Sequence, residues 1–320
     1  MVNYNPKVSV IIPTYNRANL LRLALDSVCA QSEKDCEIIV IDDGSQDDTE
    51  KVVKSYGHIH YINISNGGVA RARNIGIKSA RGRFIAFLDS DDSWDPDKLR
   101  SQLEEFERYP ESGMVFSNFR HIDHNGKILM DQFINIPSKG YSFVTRLHSI
   151  IEGSLPCATS TVMVRKSLLE KVGLFDEAYR IAEDFDMWIR IMLSGEARFI
   201  NKVLTSYRLH DAHLSQSLRS EVWSPFVDVV IKHSKALLDK GLVPRKYICK
   251  FSLLTARALL LEGKRTLAFK YNISALSNSP LNSSVYKEII KCLLGTRIIK
   301  WDLLKTDRNN KSSSILDKYY

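Results

Sequence analysis

The chain has 320 residues, 44% of them hydrophobic, and a formal net charge of +8. This length and hydrophobic content are enough for an α/β domain of about two hundred residues with a packed core, and for a smaller second unit. Its five cysteines are scattered and never spaced as C-x-x-C, which argues against a zinc site or a disulfide framework and suits a reducing compartment. The N-terminus does not resemble a signal peptide and no run reaches the roughly 18 apolar residues that span a bilayer, so we expect a cytoplasmic protein, or one peripheral to the inner face of the cell membrane.

The first part of the chain alternates short β-rich runs with segments of helical periodicity. The β-rich runs predict strands at residues 8–12, 37–41, 60–64 and 84–88. Between them, three helices are predicted. The first covers residues 20–28, the second follows Ser45 and Asp48, which resemble a capping box, and the third covers residues 70–80. Strands that alternate with helices of this length predict an α/β fold, in which helices flank a mostly parallel sheet.

Polar residues concentrate directly after these predicted strands. The segments concerned are Pro13–Arg17, Asp42–Ser45, Asn66–Gly68 and Asp89–Asp92. In open α/β sheets, ligands bind beyond the carboxyl ends of the strands. We therefore expect these four segments to line a ligand site.

From about residue 95 the pattern becomes mixed rather than strictly alternating. Asp95-Pro96 is predicted to open a helix, with the proline in its first turn. Further strands are predicted at residues 114–119, 161–164 and 199–209, and a helix at residues 182–194.

The last third of the chain shows only helical periodicity. Apolar residues recur at helical spacing in residues 227–238, 247–261, 267–276 and 285–294. We therefore predict two domains, an α/β domain at residues 1–218 and a helical, basic region at residues 219–320.

The positive charge of the protein lies in this C-terminal region. Residues 221–320 contain 18 Lys and Arg against 8 Asp and Glu, a net charge of +10, whereas the first 220 residues hold 27 against 29, a net charge of −2. Such an excess attracts anionic membrane lipid or nucleic acid. The basic residues alternate with Leu and Ile rather than with stacking aromatics, so we favour a membrane surface and expect no nucleic-acid partner. The alternative is a solvated helical surface.

The acidic run after the fourth predicted strand is a candidate metal site. Asp89 and Asp91 are two positions apart, so along a strand their side chains would point to the same side. Neighbouring carboxylates repel unless a cation joins them. With oxygen ligands and no nearby Cys or His, the run favours Mg²⁺ or Mn²⁺ over zinc. The alternative is a solvated acidic turn that caps the next helix.

Five segments together resemble the family 2 glycosyltransferases, which have the GT-A fold. They are Val8–Arg17 (VSVIIPTYNR), Ile39–Ser45 (IVIDDGS), Ala72–Asn74 (ARN), Phe87–Asp92 (FLDSDD) and the pair Glu183-Asp184. They occur in the order and spacing of that family, and the resemblance covers residues 7 to 215.

The resemblance implies which residues form a nucleotide-sugar site. They would be Pro13, Thr14, Tyr15, Arg17, Asp43, Arg73, Asp89 and Ser90, with Tyr15 and Asp43 at the base. Asp91 would coordinate Mg²⁺ or Mn²⁺, with Asp89 in support. His210, in a Tyr-Arg-Leu-His segment similar to the end of the family's catalytic domain, is a further candidate ligand. For Arg73, the alternative is a helix-surface or core-bridging arginine.

By the same resemblance, Asp184 is the general base. Its place at a predicted helix N-terminus supports a negative charge there, although the two acids could instead only cap that helix. The implied reaction is an inverting transfer of a sugar from a nucleoside-diphosphate sugar, for which Asp43 suits uracil, to a glycan or lipid-linked acceptor in cell-surface polysaccharide synthesis.

Two other functions are open to a chain of this pattern. A nucleotidyltransferase would carry a glycine-rich phosphate loop with a lysine after the first strand, where this chain has Pro13-Thr14-Tyr15-Asn16. A non-catalytic module that binds a nucleotide or glycan would have lost the acidic residues, and this chain retains both Asp91 and Asp184.

Overall fold

The computed structural model describes residues 5–134, 142–144, 157–209, 220–241 and 245–294. Their strands are β1 Val8–Thr14, β2 Cys36–Asp42, β3 His60–Asn63, β4 Phe84–Phe87, β5 Ser93–Trp94, β6 Ser112–Ile122, β7 Ile128–Met130, β8 Ser142–Val144, β9 Val162–Arg165 and β10 Glu196–Arg208. Their helices are α1 Ala18–Cys29, α2 Thr49–Lys54, α3 Val69–Ser79, α4 Lys98–Arg108, α5 Lys166–Val172, α6 Glu183–Ser194, α7 Ser220–Asp239, α8 Arg245–Leu261, α9 Arg265–Asn278 and α10 Ser283–Leu294.

The strands form one sheet in the order β3-β2-β1-β4-β9-β6-β10-β5, with β7 paired to β6 and β8 to β10. Strands β3, β2, β1 and β4 are parallel to one another, and β6 is parallel to β10. Because β9 is antiparallel to both β4 and β6, these two parallel groups run in the same direction. The predicted α/β fold with a mostly parallel sheet is confirmed.

Strand β9 brings an additional loop to the ligand edge of the sheet. Since it runs against its neighbours, its first residues lie beside the end of β4, and Val162 pairs with Phe116 in the middle of β6. The short 3-10 turn Thr159–Thr161 immediately precedes it. Polar side chains of this turn are therefore placed beside the loops that follow the parallel strands.

The two faces of the sheet are covered by different helices. One hydrophobic core joins the sheet to α3, α5 and α6, and the other joins it to α1, α2 and α4. Alternation along β1 sends Ile11 to the first core and Val10 and Ile12 to the second. A Cβ at Gly76 would lie 2.5 Å from Ile11 Cγ2, so this glycine lets α3 pack closely on β1.

Two predicted helix starts are wrong. Ser45 does not cap the second helix, because α2 begins at Thr49, whose backbone N–H donates to Asp47 Oδ1. Pro96 lies before its helix rather than in the first turn, because α4 begins at Lys98. The carbonyl of Pro96 instead accepts from the N–H of Ser32 over 2.8 Å.

The chain folds as two compact units, residues 1–213 and 214–320. The predicted helical character of the C-terminal region is confirmed by α7–α10. Their core contains Leu260 and Tyr271, and the hydroxyl of Tyr271 donates to the carbonyl of Ser224 in α7. Among the residues described above, we find no helix with the length and apolar character needed to cross a membrane.

Candidate active site

The loops after β1, β2 and β3 are joined around Asp43. Its N–H donates to the carbonyl of Thr14 over 2.9 Å. Its two carboxylate oxygens accept from the N–H groups of Gly67 and Gly68, each over 2.8 Å. Asp43, predicted to contact the base, thus also fixes the glycine loop that leads into α3.

The loop before α1 is tied to the loop after β2. Asn16, in the left-handed conformation at φ 51°, donates its N–H to Ser45 Oγ over 2.8 Å. The N–H of Ala18 donates to Asp47 Oδ2 over 2.9 Å. Between these anchors, Arg17 extends its side chain to Asp91, with Nη1 2.5 Å from Oδ2.

Asp89 and Asp91 lie in a turn, because β4 ends at Phe87 and the N–H of Asp92 donates to the carbonyl of Asp89 over 3.1 Å. The strand alternation expected to place Asp89 and Asp91 on one side therefore does not apply here. The two carboxylates have different partners: Asp91 contacts Arg17, and Asp89 contacts Arg73.

Arg73 connects the acidic turn to the start of α6. Its guanidinium donates from Nη2 to Asp89 Oδ1 and from Nη1 to Glu183 Oε1, each over 2.7 Å. Its side chain is only 3% exposed. Burial by itself would lower the pKa of Arg73, but the charges of Asp89, Glu183 and Asp184 outweigh it and raise that pKa. Arg73 thus bridges two elements, and its role in a nucleotide-sugar site stays a prediction.

Asp184 lies in the first turn of α6, as predicted. Its Oδ2 accepts from Thr159 Oγ1 over 2.8 Å, and its Oδ1 accepts from the N–H of Phe185 over 2.7 Å. The N-terminus of a helix favours a negative charge, and these two hydrogen bonds fix the direction of the carboxylate.

The residue before this turn of α6 is strained. Ala182 has φ 67° and ψ 17°, the left-handed region, and it is 2% exposed. A Cβ in this conformation costs about 1–2 kcal/mol.

Glu183, the next residue, has a raised pKa. Burial and the charge of Asp184 raise the pKa of Glu183 to about 7, against the opposing effect of Arg73.

Asp92 is 1% exposed. It accepts from Ser160 Oγ over 2.5 Å and from the N–H of Arg208 over 2.9 Å. Burial, with the charges of Asp91 and Asp89, raises the pKa of Asp92 well above its usual range. Asp92 therefore anchors the acidic turn to β10 and to the 3-10 turn that precedes β9.

Sequence reasoning missed three residues that hold the site together. Ser160 accepts from the N–H of Asp89, and Thr159 donates to Asp184. Arg208 donates from Nε to the carbonyl of Asp91 over 2.9 Å. For Thr159 and Ser160, the available signal was their position just before the strand predicted at residues 161–164, but its relevance depends on that strand being antiparallel.

The remaining predicted site residues have the following places. Pro13 and Thr14 end β1, and Thr14 Oγ1 is buried without a hydrogen-bond partner among the described residues. Tyr15 is 46% exposed, as a ring available for stacking would be, and Ser90 is buried in the acidic turn. His210 lies outside the described residues.

The residues present fit a divalent cation held by few protein ligands. Within the described ranges, no group of three or more His, Cys, Asp or Glu side chains could hold a metal ion. Mg²⁺ in nucleotide sites is characteristically bound by one or two carboxylates together with substrate phosphates and water. The hard oxygens of Asp91 and Asp89 agree with that pattern.

Comparisons with known proteins agree with this architecture. The sequence profile described as "Glycosyl transferase family 2" matches residues 9–173. An uncharacterized glycosyltransferase of Rickettsia typhi is 33% identical over 247 residues, covering 73% of this chain and 76% of the relative. The Escherichia coli protein WfaP, named UDP-Glc:alpha-D-GlcNAc-diphosphoundecaprenol beta-1,3-glucosyltransferase, is 30% identical over 249 residues, covering 76% and 91%.

A solved structure shares the fold. S. aureus TarS 1–349 in complex with UDP-GlcNAc has a TM-score of 0.60 to this chain at 19% identity, covering 85% of this chain and 89% of TarS 1–349. The profile covers half of the chain, and the Rickettsia relative is matched over three quarters of its length. On these findings, and with the GT-A fold described above, the chain belongs to glycosyl transferase family 2.

Proposed function

We propose that residues 1–218 form an inverting glycosyltransferase domain that transfers a sugar from a uridine-diphosphate sugar to a hydroxyl of a glycan or lipid-linked acceptor. One relative and one protein of the same fold support the substrate classes: WfaP is named for transfer from UDP-Glc to a diphosphoundecaprenol-linked sugar, and the structure of TarS is a complex with UDP-GlcNAc. The proposed role is the synthesis of a cell-surface polysaccharide.

The observation that carries this proposal is the bridge made by Arg73. It joins the acidic turn, where the donor phosphates would bind, to Glu183, the neighbour of the proposed base Asp184. A single buried guanidinium thereby holds the leaving-group side and the acceptor side of the reaction at a set separation. Neither a nucleotidyltransferase nor a passive binding module requires a base such as Asp184 at a set separation from the phosphate site.

In the proposed reaction, the acceptor oxygen attacks the anomeric carbon while the bond from that carbon to the diphosphate oxygen breaks. Asp184 takes the proton of the acceptor hydroxyl. Thr159 and the N–H of Phe185 orient its carboxylate during this step. One displacement inverts the anomeric configuration.

The leaving diphosphate acquires negative charge during this displacement. Asp91, with Asp89, would hold Mg²⁺ or Mn²⁺, which when bound supplies the positive charge that stabilises the leaving group. At the other end of the donor, Asp43 would accept a hydrogen bond from the imide of uracil, and Tyr15 would stack on the ring.

Hydrolysis of candidate donors tests this function without knowledge of the acceptor. UDP-glucose and UDP-GlcNAc are incubated with the protein and Mn²⁺, and released UDP is measured. We expect hydrolysis of at least one donor by the wild-type protein. Asp184→Asn should lower the rate by roughly 10²-fold, the usual scale for loss of a general base, while calorimetry shows unchanged donor binding.

The matched control is Asp97→Asn, the same change at a half-exposed position in front of α4, which should leave hydrolysis unaltered. Normal turnover in Asp184→Asn would contradict its role as the base. Donor binding without any turnover by the wild-type protein, also when candidate acceptors are added, would favour the binding module instead.

The C-terminal unit is proposed to dock on anionic membrane, where lipid-linked acceptors reside. Its charge supports this proposal, and so does an apolar stripe on α10. Tyr286, Ile290 and Leu293 follow one another at helical spacing and are 48%, 52% and 70% exposed. Exposed apolar residues beside lysines such as Lys287 are typical of helices that lie in a membrane interface.

A further inference from the structure

Arg17 occupies the carboxylate that we propose as the metal ligand. Its Nη1 lies 2.5 Å from Asp91 Oδ2, and the side chain of Asp91 is only 5% exposed. A divalent cation bound to the same oxygen needs the same space and meets a like charge. In the conformation that the structure shows, Arg17 and a metal ion therefore compete for Asp91.

The two arginines of the acidic turn are held very differently. Arg73 is 3% exposed and bound between Asp89 and Glu183, so its charge is a permanent part of the site. The side chain of Arg17 is 33% exposed and is bound to Asp91. Only Arg17 is accessible enough to leave its carboxylate by side-chain rotation alone.

The backbone around Arg17 is fixed, which restricts the exchange to the side chain. Asn16 and Ala18, on either side, donate their N–H groups to Ser45 and Asp47. In addition, Asn16 Oδ1 accepts from the N–H of Gln46 over 2.7 Å. Rotation of Arg17 thus leaves the loop in place and keeps the guanidinium near the site.

We propose that Arg17 is an exchangeable counter-ion. In the free protein it neutralises Asp91. When a nucleoside diphosphate and a divalent cation bind, Arg17 releases Asp91 to the cation and pairs with the negative diphosphate. The inference rests on the proposed donor site, and it makes cation and nucleotide binding cooperative. Because thermodynamic coupling is reciprocal, each of the two ligands then raises the binding affinity for the other by the same factor.

Manganese binding tests this exchange directly. Electron paramagnetic resonance measures free Mn²⁺ in titrations of the protein with and without UDP. Arg17→Gln should bind Mn²⁺ alone about tenfold more tightly than the wild type, within the range usual for coupled sites. The factor by which UDP raises the affinity for Mn²⁺ should be correspondingly smaller in Arg17→Gln than in the wild type. Arg17→Lys, which keeps the charge, should remain close to the wild type.

The matched control is Arg22→Gln, which removes the same charge from an exposed position of α1. It should leave Mn²⁺ affinity unchanged. The exchange is overturned if Arg17→Gln gains no affinity, if Arg22→Gln gains as much, or if no variant binds Mn²⁺ with or without UDP. In each of these cases donor hydrolysis still tests the transferase function separately, and circular dichroism verifies that every variant is folded.

Discussion

Glu183 and Arg73 form a buried ion pair, and the carboxylates around this pair outnumber the arginines. Arg73 meets Asp89 as well as Glu183, and Asp184 lies next in the chain. Taking a charge out of water costs several kcal/mol unless a partner compensates it. With more carboxylates than arginines nearby, Glu183 is more stable in this site when it binds a proton.

The free energy of unfolding should therefore depend on pH through Glu183. Its pKa is raised from 4.5 to about 7 in the folded protein, first by burial and then by Asp184. The folded state holds this proton more tightly than the unfolded chain. The corresponding stability is present below about pH 4.5 and is lost as the pH rises to about 7, by at most about 3 kcal/mol. Urea unfolding across this range should show a flatter dependence in Glu183→Gln than in the wild type.

Glu107→Gln is the matched control, because Glu107 is exposed on α4 and its removal should leave the wild-type slope intact. Parallel curves for the wild type and Glu183→Gln would contradict the raised pKa.

At the residue scale, local patterns predicted the positions of Asp91 and Asp184 but not their partners. Asp184 was placed at a helix start because periodicity begins there. The burial of Arg73 could not be predicted, because its partners Asp89 and Glu183 are distant in the sequence. The pairing of Arg17 with Asp91 likewise depends on how two loops meet.

Among the elements, α6 begins in an unusual way that can be tested by substitution. Ala182→Gly removes the cost of a Cβ at φ 67°, about 1–2 kcal/mol. It also loses a buried methyl, about 0.8 kcal/mol, and gives the unfolded chain about 0.4–1 kcal/mol of added freedom. These terms nearly cancel, so we expect a free energy of unfolding within about 0.5 kcal/mol of the wild type.

Ala72→Gly gives the matched comparison, since Ala72 is fully buried in the regular helix α3. There no strain is relieved, and the same substitution should cost about 1–2 kcal/mol. An equal loss in the two variants, measured by urea unfolding, would show that Ala182 is not strained.

Most elements were predicted from periodicity alone. The short strands β5, β7 and β8 and the helix α5 were not predicted, and the other errors concern the ends of elements. The capping box at Ser45 and Asp48 has a favourable sequence, yet Asp47 provides the hydrogen bond to Thr49, and Ser45 is engaged by Asn16 from another loop. Tertiary contacts therefore decided between side chains of similar capping ability.

For the whole molecule, the basic C-terminal unit predicts binding to anionic vesicles. We expect co-sedimentation with phosphatidylcholine vesicles that contain about one third phosphatidylglycerol, and loss of binding at high salt, since each basic residue near the surface contributes about 1 kcal/mol. Lys246→Glu with Lys250→Glu, both exposed on α8, should weaken binding strongly. Ile290→Ser with Leu293→Ser should weaken it without changing its salt dependence.

The control pair Lys78→Glu with Lys202→Glu makes the same charge change in the catalytic unit, also at exposed positions. Equal binding to vesicles without phosphatidylglycerol would remove the electrostatic explanation. Self-association detected by size-exclusion chromatography and relieved by the α10 changes would assign the apolar stripe to a contact between copies instead.

At this scale the sequence predicted the parallel part of the sheet and the helical C-terminal region. It did not predict that β9 would lie between β4 and β6. Four-residue strands carry little information on direction, and the register of β9 with Phe84–Ala86 and Met114–Phe116 depends on contacts across the whole sheet.

The antiparallel direction of β9 bears on how enzymes of this architecture can diversify. Its pairing with two neighbours fixes Thr159 and Ser160 at the ligand edge, whatever length of chain comes before them. Segments inserted upstream of residue 157 can therefore vary between lineages while the proposed base and the acidic turn keep their supports. Changes in loop length there then need no compensating change at Thr159, Ser160 or the acidic turn.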